Sequence, residues 1–327
     1  MHPRPLGSTG LTVTPVGLGL AALGRPAYID LGRPADLGPD RGIEALERRC
    51  HEVLDAAYAA GIRYLDAARS YGRAEEFLAS WLRQRGLVPS DLTIGSKWGY
   101  TYVGDWRMDA ETQEVKDHSL AALTRQTAET RTLLGDHLDL YQIHSATLDS
   151  GVLEDQAVLA ELTRLHEEGL VIGLSSSGPA QAATIRRALE LTTAGAVPFA
   201  CVQATWNLLE PSAGPALAEA GSAGWGVIIK EAVANGRLTP HGHGKEKDTL
   251  VRIAANHDVG VDAVALAAVL ANPWADVVLS GAVTPGQLES NLQATQVELA
   301  PHELDELTTL AEPPGQYWQE RSNLSWS

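Results

Sequence analysis

The chain has 327 residues, of which 44% are hydrophobic and 20% charged, and its formal net charge is −16 because 25 Lys and Arg oppose 41 Asp and Glu. This composition is typical of a globular protein and excludes extended disorder and low-complexity architectures. The acidic balance gives no basic footprint for a nucleic-acid backbone or an anionic membrane surface. We therefore expect neither nucleic-acid nor membrane partners.

Two cysteines, Cys50 and Cys201, are too few for a disulfide framework and lack a CxxC metal spacing. Both lie in apolar stretches, which predicts buried free thiols. The first residues lack the apolar segment of a signal peptide, and no run reaches the roughly 18 apolar residues of a membrane span. A reducing cytoplasm is the expected location.

Strand and helix patterns alternate along the chain. A short hairpin over 4–6 and 11–13 comes first. The predicted strands that follow are 15–19, 62–66, 92–96, 138–143, 171–174, 199–203, 226–229 and 277–279. The predicted helices are 43–60, 74–85, 117–134, 156–168, 179–193, 212–221, 248–257, 261–271, 285–295 and 301–311. The remaining long segments are predicted loops at 21–42, 98–116 and 232–247, and a polar tail.

Eight strands alternating with helices predict an α/β fold, a (β/α)8 TIM barrel that forms one domain over 1–327, with the hairpin closing its bottom. The continuously apolar strand 277–279 is typical of parallel strands covered on both faces. A doubly wound sheet is the alternative. Its glycine motif is imitated at 17–22, but the Gly and Pro residues over 24–39 prevent the helix which that motif requires. The pattern favours the barrel.

Three successive predicted strands end in residues that can carry acid–base chemistry. Asp66 ends the second strand, Lys97 the third and His144 the fourth, while Tyr71 lies in the loop after Asp66. Active sites of such barrels lie where strands end. Each residue alone has an ordinary structural alternative, such as a helix cap or a packing contact. Four of them at successive strand ends favour a functional site.

The segment 61–72 reads G-x-R-x-x-D-A-A-x-x-Y-G, and with Lys97 and His144 it resembles the signature of the aldo-keto reductases. The resemblance runs from the N-terminal hairpin to the helix after residue 285. It implies a barrel enzyme that reduces an aldehyde or ketone to an alcohol with a nicotinamide cofactor, and therefore a small-molecule carbonyl substrate. The cofactor would supply the hydride and the protein would supply binding and orientation.

Carbonyl reduction also needs a proton on the carbonyl oxygen. A free phenol has a pKa of about 10 and is a weak acid at neutral pH, and a neighbouring ammonium lowers that pKa. We therefore expect Tyr71 to donate the proton and Lys97 to lower its pKa. Asp66 would keep Lys97 charged and oriented. His144 would donate an N–H to the substrate oxygen.

The resemblance also implies a cofactor site, formed mostly by the ends of the later strands and the loops that follow them. The carboxamide would lie near strands five and six, the pyrophosphate near the loop after strand seven, and the adenosine near the helix after strand eight. The expected contacts are Gly19, Leu20, Ser175, Ser176, Gln203, Lys230, Val233, Asn235, Gly236, Gln287 and Asn291.

Two departures from the family pattern concern that cofactor site. Lys230 ends strand seven, where the family usually has an aromatic ring that stacks on nicotinamide. Either Trp206 or another ring replaces that contact, or Lys230 turns away to pair with Glu231. Segment 276–300 contains no Lys or Arg to bind the 2′-phosphate of NADP. NADP (NADPH) is the cofactor that the resemblance implies, and NAD is the alternative.

The predicted substrate pocket is walled by loops 21–42 and 98–116 and by the tail. The aromatic residues of these walls are Trp98, Tyr100, Tyr102, Trp106 and Trp318. Packing of those rings onto the barrel is an equal alternative. The pair His241 and His243 lacks a third ligand at suitable spacing, so no metal site is predicted.

Two other functions fit the same residues. An NAD-dependent sugar or polyol dehydrogenase would use the site in the oxidative direction, and the missing 2′-phosphate cations motivate it. A non-catalytic subunit that senses the cofactor is motivated by Lys230, although binding alone does not require Tyr71 beside Lys97. The natural substrate, the direction and the oligomeric state are not specified by the sequence.

Overall fold

The structure of the chain, a computed structural model, describes residues 1–244 and 246–326. Its strands within those residues are β1 (Arg4–Pro5), β2 (Thr12–Val13), β3 (Val16–Gly19), β4 (Tyr64–Asp66), β5 (Thr93–Trp98), β6 (Tyr100–Tyr102), β7 (Glu114–Lys116), β8 (Leu140–Ala146), β9 (Val171–Ser176), β10 (Phe199–Thr205), β11 (Gly226–Lys230) and β12 (Val277–Ser280). Eight of these, β3 to β5 and β8 to β12, form a closed parallel barrel in chain order, with β12 beside β3. The predicted (β/α)8 barrel is confirmed.

Helices surround the barrel. They are α1 (Arg33–Leu37), α2 (Ile43–Ala59), α3 (Ala74–Arg85), α4 (Leu120–Leu134), α5 (Gln156–Glu167), α6 (Gln181–Thr193), α7 (Gly214–Ser222), α8 (Lys247–His257), α9 (Val261–Leu270), α10 (Pro285–Leu292), α11 (Pro301–Thr308) and α12 (Pro314–Ser322). Three elements were not predicted: α1, the antiparallel hairpin of β6 and β7, and α12 in the tail. The helix α1 is only five residues long, and α12 buries a single residue, so neither gives a strong apolar period.

The N-terminal hairpin closes the bottom of the barrel, as predicted. β1 pairs antiparallel with β2, and the buried side chains of Leu6 and Val13 pack against residues of the barrel interior. Arg4 donates two hydrogen bonds to the carbonyls of Ala275 and Asp276, just before β12. The carboxyl ends of the strands therefore form the only open rim among the described residues.

The interior contains both cysteines as buried free thiols, as predicted for Cys50 and Cys201. Burial raises the pKa of the Cys201 thiol well above its usual value. No single helix among the described residues is long and apolar enough to cross a membrane. Only α8 and α9 taken together have the necessary length and composition, and they are bent by 85°.

Candidate active site

Asp66, Tyr71, Lys97 and His144 meet at the carboxyl ends of β4, β5 and β8. The Lys97 ammonium donates to Asp66 Oδ2 at 2.5 Å, to the Ala67 carbonyl at 2.9 Å and to the Tyr71 hydroxyl at 3.3 Å. The rings of Tyr71 and His144 meet edge to face with their centroids 5.4 Å apart. All three ammonium donors are therefore used, and Lys97 links the carboxylate to the phenol.

Buried charges need compensation, and this site provides it. The Lys97 side chain is 0% exposed and that of Asp66 is 3% exposed. Asp66 Oδ1 also accepts hydrogen bonds from Gln203 Nε2 at 2.8 Å and from the Tyr64 hydroxyl at 3.3 Å. Asp66 thus accepts hydrogen bonds from donors on three strands, which fixes the geometry of the ion pair.

The loop that carries Tyr71 is fixed to the barrel by a buried carboxylate. Arg69 donates to Glu75 at 2.5 Å, and Glu75 also accepts from the hydroxyls of Ser96 at 2.6 Å and Thr130 at 2.9 Å. The Arg69 amide donates to the Lys97 carbonyl at 3.1 Å. The loop between β4 and α3 therefore holds the phenol in place.

Two glycines allow another loop to approach this one closely. A Cβ on Gly24 would lie 2.3 Å from the Tyr71 carbonyl oxygen, and a Cβ on Gly72 would lie 2.4 Å from the Gly24 carbonyl oxygen. Gly72 also has a φ of +61°, which favours glycine. Because side chains are excluded here, the segment after β3 runs directly against the catalytic loop.

Burial has an effect on the Tyr71 phenol that the sequence did not predict. Burial, followed by the charge of Asp66, raises the pKa of Tyr71 well above 10. The phenol therefore stays protonated at neutral pH. That Lys97 lowers this pKa stays a prediction. Burial also lowers the pKa of Lys97, against the opposing charge of Asp66.

His144 is neutral at ordinary pH. Burial, and then the charges of Lys97 and Lys230, lower the pKa of its imidazole well below 6.5. The Ser70 hydroxyl lies 3.3 Å from His144 Nδ1. A hydroxyl that donates there leaves the ring proton on Nε2, the tautomer that can donate to a carbonyl oxygen. Sequence reasoning missed Ser70, although it directly precedes Tyr71.

A cavity of about 290 Å³ opens beside Tyr71 and His144. Five of the predicted cofactor contacts line it, namely Gly19, Gln203, Lys230, Val233 and Asn235. The other six do not line it, namely Leu20, Ser175, Ser176, Gly236, Gln287 and Asn291. The cavity connects the phenol to the end of β12, where Gly281 leaves open space around its own Cβ position.

Several of the non-lining residues have internal partners. Ser175 Oγ accepts from the backbone amide of Ser145 at 2.8 Å. The Gly236 amide donates to the Val233 carbonyl at 3.1 Å, within its own turn. Asn291 is buried and donates to a carboxylate of α9 at 2.6 Å. These contacts stabilise the rim itself.

Lys230 lines the cavity and pairs with Glu231, as one of the two alternatives predicted. Its ammonium donates to the Thr205 hydroxyl at 2.8 Å and lies 3.7 Å from a carboxylate oxygen of Glu231. Burial lowers the pKa of Lys230 to about 8. Glu231 also receives two hydrogen bonds from Arg321, at 2.9 and 2.5 Å. Trp206 packs edge-on against another tryptophan and does not line the cavity.

The three tryptophans predicted to line the pocket lie elsewhere. Trp98 is 0% exposed in the core, where its ring meets His118. Trp106 packs against Phe77 and belongs to the interface between loop and barrel. Trp318 packs in the cluster that α12 makes with the barrel. Packing, the alternative reading of these rings, is what the structure shows.

A different set of residues covers the cavity, which we call the cover: Arg25, Tyr28, Tyr100, Glu114, Arg321 and Trp326. They come from the segment after β3, from the hairpin of β6 and β7, and from α12 with the tail that follows it. The sequence placed the pocket walls in these segments and pointed to Tyr100 among their aromatic residues, but it did not single out the other five. Aromatic residues beside paired charges within them were the available signal.

The described residues contain no group of three or more His, Cys, Asp or Glu side chains that could hold a metal ion. His241 lies 3.6 Å from Asp36 and has no further ligand-type neighbour of this kind in that part of the chain. Residue 245 of the same loop lies outside the described residues.

Comparison with known proteins agrees with this architecture. The model of the Aldo/keto reductase family matches residues 43–312, so the chain belongs to this family. It is 28% identical over 187 residues to the uncharacterized oxidoreductase YqkF of Bacillus subtilis, an alignment that covers 55% of this chain and 50% of that protein. It is 26% identical to the aldo-keto reductase str7 of Strobilurus tenacellus, over 85% and 86% of the two chains.

Solved structures agree on the fold. The holo form of the aldo-keto reductase AKR11C1 from Bacillus halodurans superposes with a TM-score of 0.72 at 22% identity, over 96% of this chain and 97% of that one. At this identity the likeness concerns the barrel alone. With the family match, it places the chain among carbonyl-reducing oxidoreductases built on a TIM barrel.

Proposed function

We propose that the chain is an NAD(P)(H)-dependent reductase of a small aldehyde or ketone, with Tyr71 as the proton donor. The observation that carries this proposal is the Lys97 ammonium, which bonds Asp66, the Ala67 carbonyl and the Tyr71 hydroxyl at once. A purely structural ion pair would not require the phenol. This arrangement delivers a protonated phenol to a cavity that also contains a neutral imidazole.

Each of the four rim residues has its own role in the proposed reaction. The substrate oxygen would lie between the Tyr71 hydroxyl and the His144 imidazole, so that developing negative charge meets two preorganised donors. Tyr71 then gives up its proton, and the phenolate that forms is stabilised by the ammonium of Lys97 at 3.3 Å. Asp66 holds that ammonium in place. The raised pKa of Tyr71 keeps the donor form populated before the reaction.

The residues present fit a nicotinamide cofactor, which would supply the hydride. The buried Oδ1 atom of Asn235 has no hydrogen-bond partner, and Asn235 lines the cavity. The end of β12 leaves open space beside Gly281. Gly19, Gln203, Lys230 and Val233 would hold the group together with Asn235.

The adenosine end favours NAD over NADP. The family resemblance places it near Gln287, whose amide donates to Asp36 at 2.7 Å. A carboxylate accepts from the ribose hydroxyls of NAD but repels the 2′-phosphate of NADP. Asp36 on α1 thus brings an anion beside segment 276–300, which has no Lys or Arg, so we propose NAD(H) as the preferred cofactor.

The alternative functions use the same geometry. A sugar or polyol dehydrogenase would run the same proton path in reverse, and the carboxylate of Asp36 beside Gln287 is the observation that favours it. A cofactor-sensing subunit without turnover does not explain why Lys97 contacts the Tyr71 hydroxyl. We propose a small-molecule substrate, no nucleic-acid or membrane partner, and a cytoplasmic location.

The test is reduction of a panel of aldehydes, such as nitrobenzaldehydes and methylglyoxal, with NADH or NADPH. We expect wild-type protein to oxidise NADH with at least one substrate, at a rate of order 1 per second. The matched control is Tyr71→Phe, which keeps the ring and removes the hydroxyl group that would donate the proton. If no substrate is reduced faster by wild type than by this control, the proposed function is wrong.

A further inference from the structure

Arg25 lies directly against the phenol in the centre of the cover. Its side chain is 3% exposed, and its guanidinium carbon lies 5.3 Å from the centroid of the Tyr71 ring. The rings of Tyr28 and Trp326 lie within 5.1 and 4.9 Å of the same carbon. A cation within about 6 Å of an aromatic face is attracted to it. Three rings therefore surround one guanidinium.

Polar contacts fix the orientation of this guanidinium. Arg25 Nη1 donates to Glu114 at 2.7 Å and to the carbonyl of Ser70 at 3.2 Å. Ser70 directly precedes Tyr71, so one side chain joins the catalytic loop to the hairpin of β6 and β7. The buried Nε of Arg25 has no hydrogen-bond partner. The site therefore contains a second cation near the phenol, on a segment that precedes the catalytic loop by about 45 residues.

We propose that Arg25 is a positioning residue of the reaction: held by Glu114 and the Ser70 carbonyl, its guanidinium fixes the Tyr71 ring and stabilises negative charge on the phenol oxygen. This proposal rests on the proposed function, because it requires Tyr71 to exchange the proton. It adds a role for the cover, which assists the phenol as well as enclosing the substrate.

The need for a second cation follows from the charges around Tyr71. Lys97 is largely committed to Asp66, and Asp66 is the charge that most raises the pKa of Tyr71 after burial. Among the largest causes of this shift, Arg25 is the cation that lowers the pKa, against smaller contributions from Glu114 and Glu231. The charged or titratable groups around the phenol are Tyr64 and Asp66 on β4, Lys97 on β5, Glu114 on β7, His144 on β8, Lys230 and Glu231 at the end of β11, and Arg25 and Tyr28 in the segment after β3.

Two substitutions that each remove one partner of the Arg25–Glu114 pair distinguish a structural role of Arg25 from an electrostatic one. Arg25→Met leaves a carboxylate near the phenol, whereas Glu114→Gln leaves the guanidinium there. A role confined to pinning the hairpin predicts that both variants behave alike. An electrostatic role predicts opposite changes, because one variant removes the cation and the other removes the anion.

The measurement is single-turnover oxidation of the alcohol product with NAD from pH 7 to 10, in which the substrate O–H proton passes to the Tyr71 phenolate. Each unit rise in the pKa of Tyr71 reduces the phenolate population about tenfold at a given pH. We expect Arg25→Met to be slower by about three- to thirtyfold and Glu114→Gln to be faster than wild type. Arg25→Lys, which keeps the charge, should recover most of the rate.

The outcomes are distinguishable. Changes in the same direction for Arg25→Met and Glu114→Gln, or rates within twofold of wild type for both, overturn the role of Arg25. Because Arg25→Met leaves a carboxylate without its partner and could disturb folding, the Glu114→Gln result stands as a separate test. Activity retained in Tyr71→Phe would instead overturn the proposed proton donor and this inference with it.

Discussion

The rim of the barrel and the cover above it are built in different ways. Rim residues such as Asp66 and Lys97 lie at the carboxyl ends of neighbouring parallel strands, whose register pairs Asp66 with Gly95, two residues before Lys97. Cover residues are held by contacts such as Arg25 with Glu114, and Arg321 with Glu231 of the rim, which join segments 89 and 90 residues apart. In our proposal, the rim therefore carries the groups that transfer the proton. The cover encloses the substrate and assists Tyr71.

The largest effect is expected at the rim, from Lys97→Met. Loss of the donor to Tyr71 should slow the bound-state chemistry by about two to four powers of ten. It should also lower the free energy of unfolding by about 3 to 5 kcal/mol, because the buried Asp66 loses its partner. Single-turnover rates and denaturant unfolding measure the two effects.

The control for that variant is the double variant Lys97→Met with Asp66→Asn. It removes both charges and should recover part of the lost stability without recovering the rate. Asp66→Asn alone should react at a rate between wild type and Lys97→Met. Equal recovery of rate and stability would show that Lys97 acts only through folding.

In the cover, Arg321→Met should lower the free energy of unfolding by less than Lys97→Met does. Burial alone would raise the pKa of Glu231, but Arg321 and Lys230 lower it to about 2. A depressed pKa means that the pair stabilises the fold above about pH 4.5, and that this contribution is lost as the pH falls towards 2. We expect the variant to lose about 1 to 3 kcal/mol at pH 7. The gap to wild type in thermal or denaturant unfolding should narrow below pH 4.5, and a constant gap would contradict the assignment.

The aromatic residues provide a milder comparison. Trp326 lines the cavity, whereas Trp98 is buried in the core. Trp326→Ala should raise KM about three- to tenfold with little change in kcat, because it removes one wall. Trp98→Phe should lower the melting temperature and leave KM unchanged. A raised KM in Trp98→Phe and an unchanged KM in Trp326→Ala would show that Trp98, and not Trp326, contacts the substrate.

The smallest effect concerns cofactor choice. Asp36→Ser removes the anion near Gln287 and should improve the affinity for NADPH relative to NADH by about three- to tenfold. Fluorescence quenching at two salt concentrations gives both dissociation constants, and the gain should shrink at high salt. An unchanged ratio of the two affinities would show that the 2′ position of the cofactor ribose does not lie near Asp36.

The sequence predicted the rim better than it predicted the cover. The barrel and the meeting of Asp66, Tyr71, Lys97 and His144 follow from strand order, because parallel strands bring their carboxyl ends to one rim. The cover does not follow, since Arg25 and Glu114 carry no periodic pattern and lie in segments interpreted as loops. The raised pKa of Tyr71 was also missed, because burial is a property of the assembled site.

The pH dependence of bound-substrate reduction tests most directly whether Tyr71, and not His144, supplies the proton. The rates are measured by single turnover from pH 6 to 9, in wild type and in Tyr71→Phe. A phenol with a raised pKa stays protonated over this range, so the wild-type rate should be nearly flat and the variant at least about a hundredfold slower. A rate that falls about tenfold per pH unit across this range, and does so equally in Tyr71→Phe, would show that an imidazolium donates the proton and would contradict the proposal.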